Sequence, residues 1–269
     1  MYKKYSDSKL SPSEYWDKYA KNYKNAMSND YHKERSQMIE QLCSNISKKN
    51  SEKILDFGCG GGEFLEQFSK ENMNVFGIDI SEKMIKLAKQ NFKLKNLKGE
   101  FNVGGLEYLS KIKSNSFDVI IATNVLAYLH EGEDIEFYNE AKRILKRKGL
   151  MIVTHSNELF DLFTLNSFTI NFFKTYLLND EIEVENLISN PNKPNKTNNF
   201  KVRANPLRFP QILKEIGLLE IDQKFCHYHS IPPLLEKNTV FEPKPVYDEK
   251  DLWKLMFKCS IYGSCSIKI

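Results

Sequence analysis

The spacing of apolar positions changes near residue 53. Before it, aromatic and aliphatic side chains recur at helical spacing, from Tyr15 and Trp16 to Ile46. After it, short apolar runs bounded by glycine and polar residues alternate with amphipathic stretches. Apolar runs of this kind are typical of strands buried on both faces. The pattern therefore predicts two N-terminal helices with a break near residues 28–30, followed by an α/β region.

The α/β region consists of repeated strand–helix units, which indicate a parallel sheet. The predicted strands are 53–57, 74–80, 97–103, 117–123, 150–154, 218–228 and 260–267. The predicted helices between and after them are 63–70, 82–91, 134–145, 209–216 (ended by Gly217) and 249–257. We expect a doubly wound, Rossmann-like α/β fold with a mostly parallel sheet of seven strands.

The alternation stops after the fifth strand. Segment 159–178 is rich in Phe and Leu with interspersed polar residues, and it predicts an amphipathic helix that serves as core or as a lid. Segment 189–199 is dense in Pro and Asn and predicts a mobile loop. We therefore expect an N-terminal helical cap at 1–48. The main domain follows at 49–269, with a lid and acceptor insertion at about 156–205.

The composition of the chain argues against several classes of protein. With 41% hydrophobic residues, the 269-residue chain can bury a sizeable core. Its net charge of +4 is the difference between 39 basic and 35 acidic residues and is not a nucleic-acid signature. Five cysteines without a Cys-x-x-Cys pair argue against a disulfide framework or a zinc site. No leader-like or membrane-spanning run is found, so we expect a cytoplasmic protein with no membrane partner.

A glycine-rich turn follows the first predicted strand. It has the form Asp56-x-Gly58-x-Gly60-x-Gly62, at the point where strand passes into helix. Glycines let a ligand approach the backbone, and the helix start offers free N–H groups. A dinucleotide fingerprint would need glycine where Glu63 stands, and Asp56 would repel a pyrophosphate. The turn therefore favours a nucleotide-type cofactor that carries positive charge.

A second carboxylate, Asp79, closes the next strand at the spacing where such folds hold a ribose diol. The two segments together resemble class I S-adenosylmethionine-dependent methyltransferases. The turn is similar to that family's motif I, and Asp79-Ile80-Ser81 followed by residues 84–88 is similar to the end of its second strand. The resemblance covers roughly residues 50–155 and implies S-adenosylmethionine as the cofactor.

The resemblance also implies roles for individual residues. Gly58, Gly60 and Gly62 would line the methionine part of the cofactor, with Asp56 near its amino group. Asp79 would hold the ribose hydroxyls, and Ile80 would pack on adenine.

Further roles depart from the family pattern or rest on fewer residues. Gly105 stands where the family has an acidic residue at the third strand, so the adenine contact falls to the Leu106 backbone or Glu107. Asn124 ends the fourth strand beneath the expected methyl group, and Tyr128 stands close to where many relatives have a histidine and would face the acceptor. Tyr23, or Tyr19, would cover the cofactor, although both are equally explained as core aromatics of an amphipathic helix.

Methyl transfer to a hydroxyl benefits from a general base near neutral pKa, for which histidine is the natural residue. His155 follows the fifth strand at the edge where such folds bind ligands, and we rank it first. His229 ranks second, and His227, two residues earlier in a strand, is expected to project to the same face. A structural role for each histidine is about as probable from base rates. No metal site is expected, since no carboxylate stands at a ligand spacing.

The acceptor is indicated by a second, weaker resemblance. Residues 205–210 and 227–233 are similar to methyltransferases found with bacterial capsule and surface-polysaccharide genes. This implies a sugar, nucleotide-sugar or phosphoramidate acceptor, with Arg203 and Arg208 as anion contacts, or else as ordinary surface charges.

The leading hypothesis is an O-methyltransferase, monomeric or homodimeric, that acts on a small polar or anionic metabolite. An RNA methyltransferase is disfavoured because residues 122–125 lack the Asn/Asp-Pro-Pro-aromatic signature, and no nucleic-acid partner is expected. A non-catalytic regulator that binds the cofactor is the third possibility, favoured by the missing histidine after the fourth strand.

Overall fold

The computed structural model describes residues 10–23, 30–47, 52–130, 132–163, 202–230 and 245–269. Most of the expected insertion at about 156–205 lies outside these residues, including segment 189–199 and the part of 159–178 beyond residue 163. The Pro-rich link that begins at residue 231 lies outside them as well. The lid and loop expected there stay predictions.

The described strands form one sheet of seven. In chain order they are β1 (Lys53–Phe57), β2 (Asn74–Asp79), β3 (Glu100–Val103), β4 (Phe117–Ala122), β5 (Leu145–Ser156), β6 (Leu218–Tyr228) and β7 (Cys259–Lys268). Across the sheet the order is β3-β2-β1-β4-β5-β7-β6, and β7 runs antiparallel to both of its neighbours. The remaining pairings are parallel. The predicted doubly wound, mostly parallel α/β sheet is confirmed.

Helices flank the sheet. The described α-helices are α1 (Pro12–Tyr19), α2 (Asp30–Cys43), α3 (Glu66–Lys70), α4 (Glu82–Leu94), α5 (Leu106–Leu109), α6 (Glu133–Ile144), α7 (Phe209–Glu215) and α8 (Lys254–Lys258). Short 3₁₀ turns lie at Ala20–Asn22, Glu63–Leu65, Leu126–Tyr128, Glu158–Phe163 and Glu249–Asp251. Thus α1 and α2 are the two predicted N-terminal helices, and the helix predicted at 249–257 is divided into a 3₁₀ turn and α8.

The helix α4 shows how local sequence sets an element. Its N-cap is Ser81, whose side chain accepts a hydrogen bond from the Met84 N–H. Met84, Ala88 and Phe92 recur at four-residue spacing and are buried. A capping serine followed by an apolar stripe is the physical signal of an amphipathic helix.

Both faces of the sheet are covered. Phe137 of α6 and Leu213 of α7 are buried on one face, and Leu42 of α2 and Ala88 of α4 are buried on the other. Each belongs to a continuous apolar cluster with the strands, which explains why the strands read as apolar runs rather than as alternating patterns.

The helix α2 packs very close to β7. A Cβ built on Gly263 would lie 2.8 Å from Leu42 Cδ1 and 2.9 Å from Met38 Cε, so a larger residue there would require these side chains to shift. The boundary predicted at residue 48 stays a prediction, but α2, on its N-terminal side, shares one core with the sheet.

The strand β5 begins earlier than predicted. The prediction starts it at residue 150, whereas the structure starts it at Leu145. Leu145 pairs with Phe117 and Leu150 pairs with Val119, so the intervening residues of β5 form a bulge. Lys148 has φ of 61° within it. Because the residues of the bulge are polar, the first part of β5 is not visible in the sequence as an apolar run.

Candidate active site

The carboxyl ends of β1, β2, β4, β5 and β6 lie at one edge of the sheet, here called the carboxyl edge. In doubly wound sheets ligands bind outside this edge. The glycine-rich turn after β1 lies there and is tied to β2. The N–H groups of Gly58 and Cys59 donate to the Ile78 carbonyl at 2.8 and 3.0 Å. The Gly60 N–H donates to Asp79 Oδ2 at 2.9 Å.

The three predicted cofactor glycines differ in what a side chain at each position would contact. Gly58, Gly60 and Gly62 all have positive φ, of 79°, 52° and 80°. A Cβ on Gly58 would lie 2.7 Å from the Val125 side chain, and one on Gly60 would overlap the Tyr23 hydroxyl. Both therefore lie where a close approach at the carboxyl edge requires glycine.

Gly62 faces the other way. A Cβ there would lie 3.2 Å from the side chains of Ala88, Phe92 and Phe101, which are buried residues of α4 and β3. Its position fits helix–sheet packing, and its predicted contact with the cofactor stays a prediction.

Asp56 is a buried carboxyl beside this turn, 3% exposed. Burial raises its pKa to about 8, and the negative charges of Asp79 and Glu63 add to the effect. Among the described residues, Asp56 Oδ1 has no hydrogen-bond partner. Leaving a buried carboxyl oxygen unsatisfied is costly unless a ligand completes it. A cationic group, such as the amino group of the cofactor's methionine part, fits this position.

Asp79 is also buried, but both of its oxygens have partners. Oδ1 accepts the Ser81 N–H at 2.9 Å, and Oδ2 accepts the Gly60 N–H. Burial raises the pKa of Asp79, and these two N–H donors oppose the rise. The adjacent Ile80 is 42% exposed, so its side chain is accessible to a ligand at this edge.

The ends of β3 and β4 complete the carboxyl edge. Leu106 is half-buried, and the Glu107 carboxylate accepts the Gly105 N–H at 2.9 Å. Asn124 has φ of 57°, and its N–H donates to Thr154 Oγ1 at 2.8 Å. That bond fixes the loop after β4 against β5.

The N-terminal segment reaches over this edge. The Tyr23 hydroxyl lies on the glycine turn at Gly60. Burial raises the pKa of Tyr23 well above its ordinary value, with Glu63 and Asp79 adding to the rise and Arg35 opposing it. Tyr128 contacts Trp16 of α1 edge-to-face, with ring centroids 5.0 Å apart.

Arg35 is a buried cation near this edge that the sequence pattern did not single out. It lies in α2, is 5% exposed, and its Nη2 lies 2.5 Å from His32 Nδ1. The next residue along, Glu34, accepts the backbone N–H of His227 at 3.0 Å, which places this part of α2 at the carboxyl edge. No local spacing marks Arg35 as different from the other polar residues of α2. Only the packing of α2 against the end of β6 places it near Tyr23.

His155 lies within the core. Its Nε2 lies 2.5 Å from the Tyr138 hydroxyl, and its ring contacts Phe209 at a centroid distance of 5.0 Å. Burial lowers its pKa to about 3. Such a group is neutral at physiological pH but binds a proton weakly, whereas a general base works best near pKa 7. Its surroundings therefore fit packing better than proton transfer.

The other two predicted bases lie where the strand is irregular, and their shared face stays a prediction. His227 has φ of 58°, so the alternation of faces breaks there, and Tyr228 packs in the same cluster as Phe225. His229 lies after the end of β6, where its N–H donates to the Lys258 carbonyl and its ring contacts Phe160. Both histidines are buried.

The two predicted anion contacts, Arg203 and Arg208, both precede α7 in the chain. Arg203 donates from Nη2 to the Asn157 carbonyl at 3.0 Å. Arg208 is the exposed residue preceding α7. Neither is shown next to the glycine turn, and their contact with an acceptor stays a prediction.

A comparison with protein families identifies the domain. Residues 48–202 match the family model described as "Methyltransferase domain". The chain belongs to this methyltransferase-domain family. The matched range contains the glycine turn, Asp79 and β1–β5, and membership confirms the expected S-adenosylmethionine-dependent methyltransferase domain and its cofactor.

Curated relatives of the methyltransferase domain match over part of their length. A ubiquinone biosynthesis O-methyltransferase of Pelagibacter ubique is 36% identical over 107 residues, which is 39% of this chain and 42% of that protein. A protein of the same description from Coxiella burnetii is 27% identical over 180 residues, 66% of this chain and 68% of that protein. An uncharacterized protein of Methanocaldococcus jannaschii is 33% identical over 120 residues, 45% of this chain and 48% of that protein. The match to the first and third relatives thus spans less than half of their length.

Solved structures show the same fold. The magnesium protoporphyrin IX methyltransferase of Synechocystis PCC 6803, with bound SAH, has a TM-score of 0.58 at 13% identity, covering 96% of this chain and 97% of that one. The putative methyltransferase in complex with the Trm112 activator of Haloferax volcanii has a TM-score of 0.59 at 13% identity, covering 94% and 97%.

Membrane-spanning helices and metal sites are two further features that bear on function. No described helix is long and apolar enough to cross a membrane. Within the same residues, no group of three His, Cys, Asp or Glu side chains is placed to hold a metal ion.

Proposed function

We propose that this protein transfers the methyl group of S-adenosylmethionine to an oxygen atom of a small-molecule acceptor. The observation that carries the proposal is the buried Asp56 carboxyl, with one oxygen lacking a partner among the described residues, beside a glycine turn in a methyltransferase domain. Relatives named for O-methylation in ubiquinone biosynthesis support oxygen as the acceptor atom.

The amino-acid part of the cofactor has both charges, and the site offers a counterpart to each. Asp56 would receive its amino group, and the Arg35 guanidinium would receive its carboxylate. Gly58 and Gly60 leave room for this part, and Tyr23 would cover it.

The adenosine part would lie along the end of β2. Asp79 would bind the ribose hydroxyls, and the half-exposed Ile80 would pack on adenine. The Leu106 backbone would contact the adenine edge, and Asn124 would lie beneath the methyl group.

The bound cofactor supplies an electrophilic methyl carbon on a sulfonium. The chain's own contribution is to align the acceptor with that carbon and to exclude water, since alignment alone accounts for a large share of such rate enhancements. Trp16, Tyr23 and Tyr128 form an aromatic cover at the carboxyl edge and are suited to exclusion of water. Because His155 is buried and weakly basic, we infer that positioning dominates; the base roles of His155, His227 and His229 stay predictions.

The finer identity of the acceptor is a separate proposal. A sugar, nucleotide-sugar or phosphoramidate acceptor rests on the resemblance of residues 205–210 and 227–233 and on Arg203 and Arg208 as anion contacts. A hydroxylated ring acceptor rests on the names of the ubiquinone-biosynthesis relatives. Both are oxygen acceptors, and the experiment below separates them.

The full-length protein is incubated with methyl-labelled S-adenosylmethionine and three acceptor panels: nucleotide sugars with phosphoramidates, catechols, and tRNA. We expect label in one small-molecule panel, and none with the Asp79→Ala variant. Exposed Glu136→Gln on α6 is the matched control and keeps wild-type transfer. Label in RNA alone would contradict the proposal. Binding of S-adenosylhomocysteine without transfer to any acceptor would favour a cofactor-binding regulator.

A further inference from the structure

The helix α1 is joined to the start of α4 by one carboxylate. Asp17 Oδ1 accepts a hydrogen bond from Ser81 Oγ at 2.5 Å and from the Lys83 N–H at 3.1 Å. Lys83 Nζ lies 3.8 Å from Asp17 Oδ2. The Ser81 hydrogen bond is the largest cause of a lowered Asp17 pKa. A carboxylate at this place is favourable because the start of a helix presents unsatisfied N–H groups and positive potential.

The residue that Asp17 holds is next to the proposed adenosine site. Ser81 donates its N–H to Asp79 Oδ1 at 2.9 Å and its hydroxyl to Asp17. One residue therefore connects the proposed ribose carboxylate with α1. The exposed Ile80 lies between Asp79 and Ser81 in the chain.

The segment that carries Asp17 reaches two other strand ends. Trp16, its neighbour, contacts Tyr128 after β4. Tyr23, six residues on from Asp17, lies on Gly60 after β1. Segment 12–23 thus crosses the carboxyl edge from β2 to β4. Of the three contacts described here, the one made by Asp17 involves a charged side chain. It is also the one that lies next to Asp79 and Ile80, where the adenosine part of the cofactor is proposed to bind.

We propose that Asp17 is a positioning residue that fastens segment 12–23 over the bound cofactor by holding the start of α4. The proposal rests on the proposed function, since it takes the cofactor to bind at Asp79. Asp17 touches neither the cofactor nor the acceptor. Its effect is on how long the segment remains closed, and so on the dissociation rate of the cofactor product.

Calorimetric titration of the full chain with S-adenosylhomocysteine, together with stopped-flow displacement, tests the proposal. A partly exposed, charge-assisted contact of this kind predicts that Asp17→Ala raises Kd about 5- to 20-fold, mainly by faster dissociation. Asp17→Asn keeps an oxygen for the Ser81 hydroxyl but loses the charge, and should raise Kd at least about threefold. Lys86→Met is the control, because it removes one ammonium from the exposed surface of the same helix and leaves Lys83 in place; its Kd should equal that of the wild type.

Two outcomes overturn the proposal. One is wild-type dissociation rates in the folded Asp17 variants while Asp79→Ala abolishes binding, which leaves the proposed function standing. The other is a lower thermal midpoint of the ligand-free Asp17 variants with unchanged dissociation, which assigns Asp17 a purely structural role. If Asp17→Ala does not fold, Asp17→Asn decides alone. Wild-type binding by Asp79→Ala would instead contradict the proposed function itself.

Discussion

At the scale of single residues, the proposed site centres on the carboxyl group of Asp56, whose ionised form is disfavoured by its surroundings. Asp56 is buried, close to the negative charges of Asp79 and Glu63, and its pKa is about 8. A cationic ligand group would favour its ionised form. Binding of such a ligand near neutral pH must therefore release a proton from Asp56.

This gives a pH prediction for ligand binding. The affinity for S-adenosylhomocysteine should rise as pH rises towards about 8 and then level off, because below that pKa the carboxyl must first be deprotonated. Calorimetry in two buffers of different ionisation enthalpy measures the proton released. Asp56→Asn should remove that proton release, and an unchanged release in the variant would show that Asp56 is not the linked group.

His155 gives a second residue-scale prediction, for stability, and its pKa is shifted in the direction opposite to that of Asp56. Its folded pKa is about 3, below the ordinary value of 6.5, so the unfolded chain binds the proton more readily. The stability that neutral His155 contributes is present above pH 6.5 and is lost as pH falls towards 3. Each proton of this kind gives a slope of about 1.4 kcal/mol per pH unit.

Urea denaturation between pH 7.5 and pH 4.5 measures this slope. His155→Phe should flatten it, while the exposed His130→Gln should leave it unchanged. If His155 were an accessible base, its variant would instead lose methyl transfer with little change in the slope.

At the scale of elements, the glycine turn after β1 combines two functions that a sequence motif presents as one. Gly60 lies against Tyr23, whose hydroxyl a Cβ would overlap, while Gly62 packs against the α4 and β3 side chains Ala88, Phe92 and Phe101. Both have positive φ, so alanine strains either position. The consequences for binding and for packing should differ between them.

Gly62→Ala should lower the free energy of unfolding by about 1–3 kcal/mol, because strain and crowding add, and should leave the Kd for S-adenosylhomocysteine close to that of the wild type. Gly60→Ala should raise that Kd at least tenfold, or about 1.4 kcal/mol, since its methyl group would overlap the Tyr23 hydroxyl and displace the side chain that is proposed to cover the cofactor. Urea denaturation and calorimetry on both variants provide the measurement. A larger binding loss in Gly62→Ala would place that glycine at the cofactor, as the family resemblance implies.

Local patterns predicted most elements well. The strands β1 and β6 agree with their predicted bounds, and α4 is correct at its start because Ser81 caps it. The start of β5 was wrong because a polar bulge near Lys148 interrupts its apolar run. The shared face of His227 and His229 stays a prediction, because His227 is left-handed and the regular alternation on which that prediction rested is interrupted there.

At the scale of the whole molecule, what could not be predicted are contacts between distant segments. The place of Asp79 at the carboxyl edge was predictable, since it is the last residue of β2 in a fold of this kind. Arg35 and Asp17 were not, because each acquires its place through packing: α2 against the end of β6, and α1 against the start of α4. Nothing in the local sequence of either helix specifies which strand ends it reaches.

These contacts of α1 and α2 make the N-terminal segments part of the proposed cofactor site. The helix α2 shares a core with β7 through Gly263, and segment 12–23 lies across the carboxyl edge. The central feature of the proposed function is therefore a cofactor site formed jointly by the glycine turn, Asp79 and the residues before β1.

The most direct test of this feature is a crystal structure of the full chain with S-adenosylhomocysteine. The ligand's ribose hydroxyls should lie within hydrogen-bond distance of Asp79, its amino group at Asp56 Oδ1 and its carboxylate at Arg35, beneath Tyr23. Electron density for the ligand away from the glycine turn, or a ribose with no contact to Asp79, would contradict it.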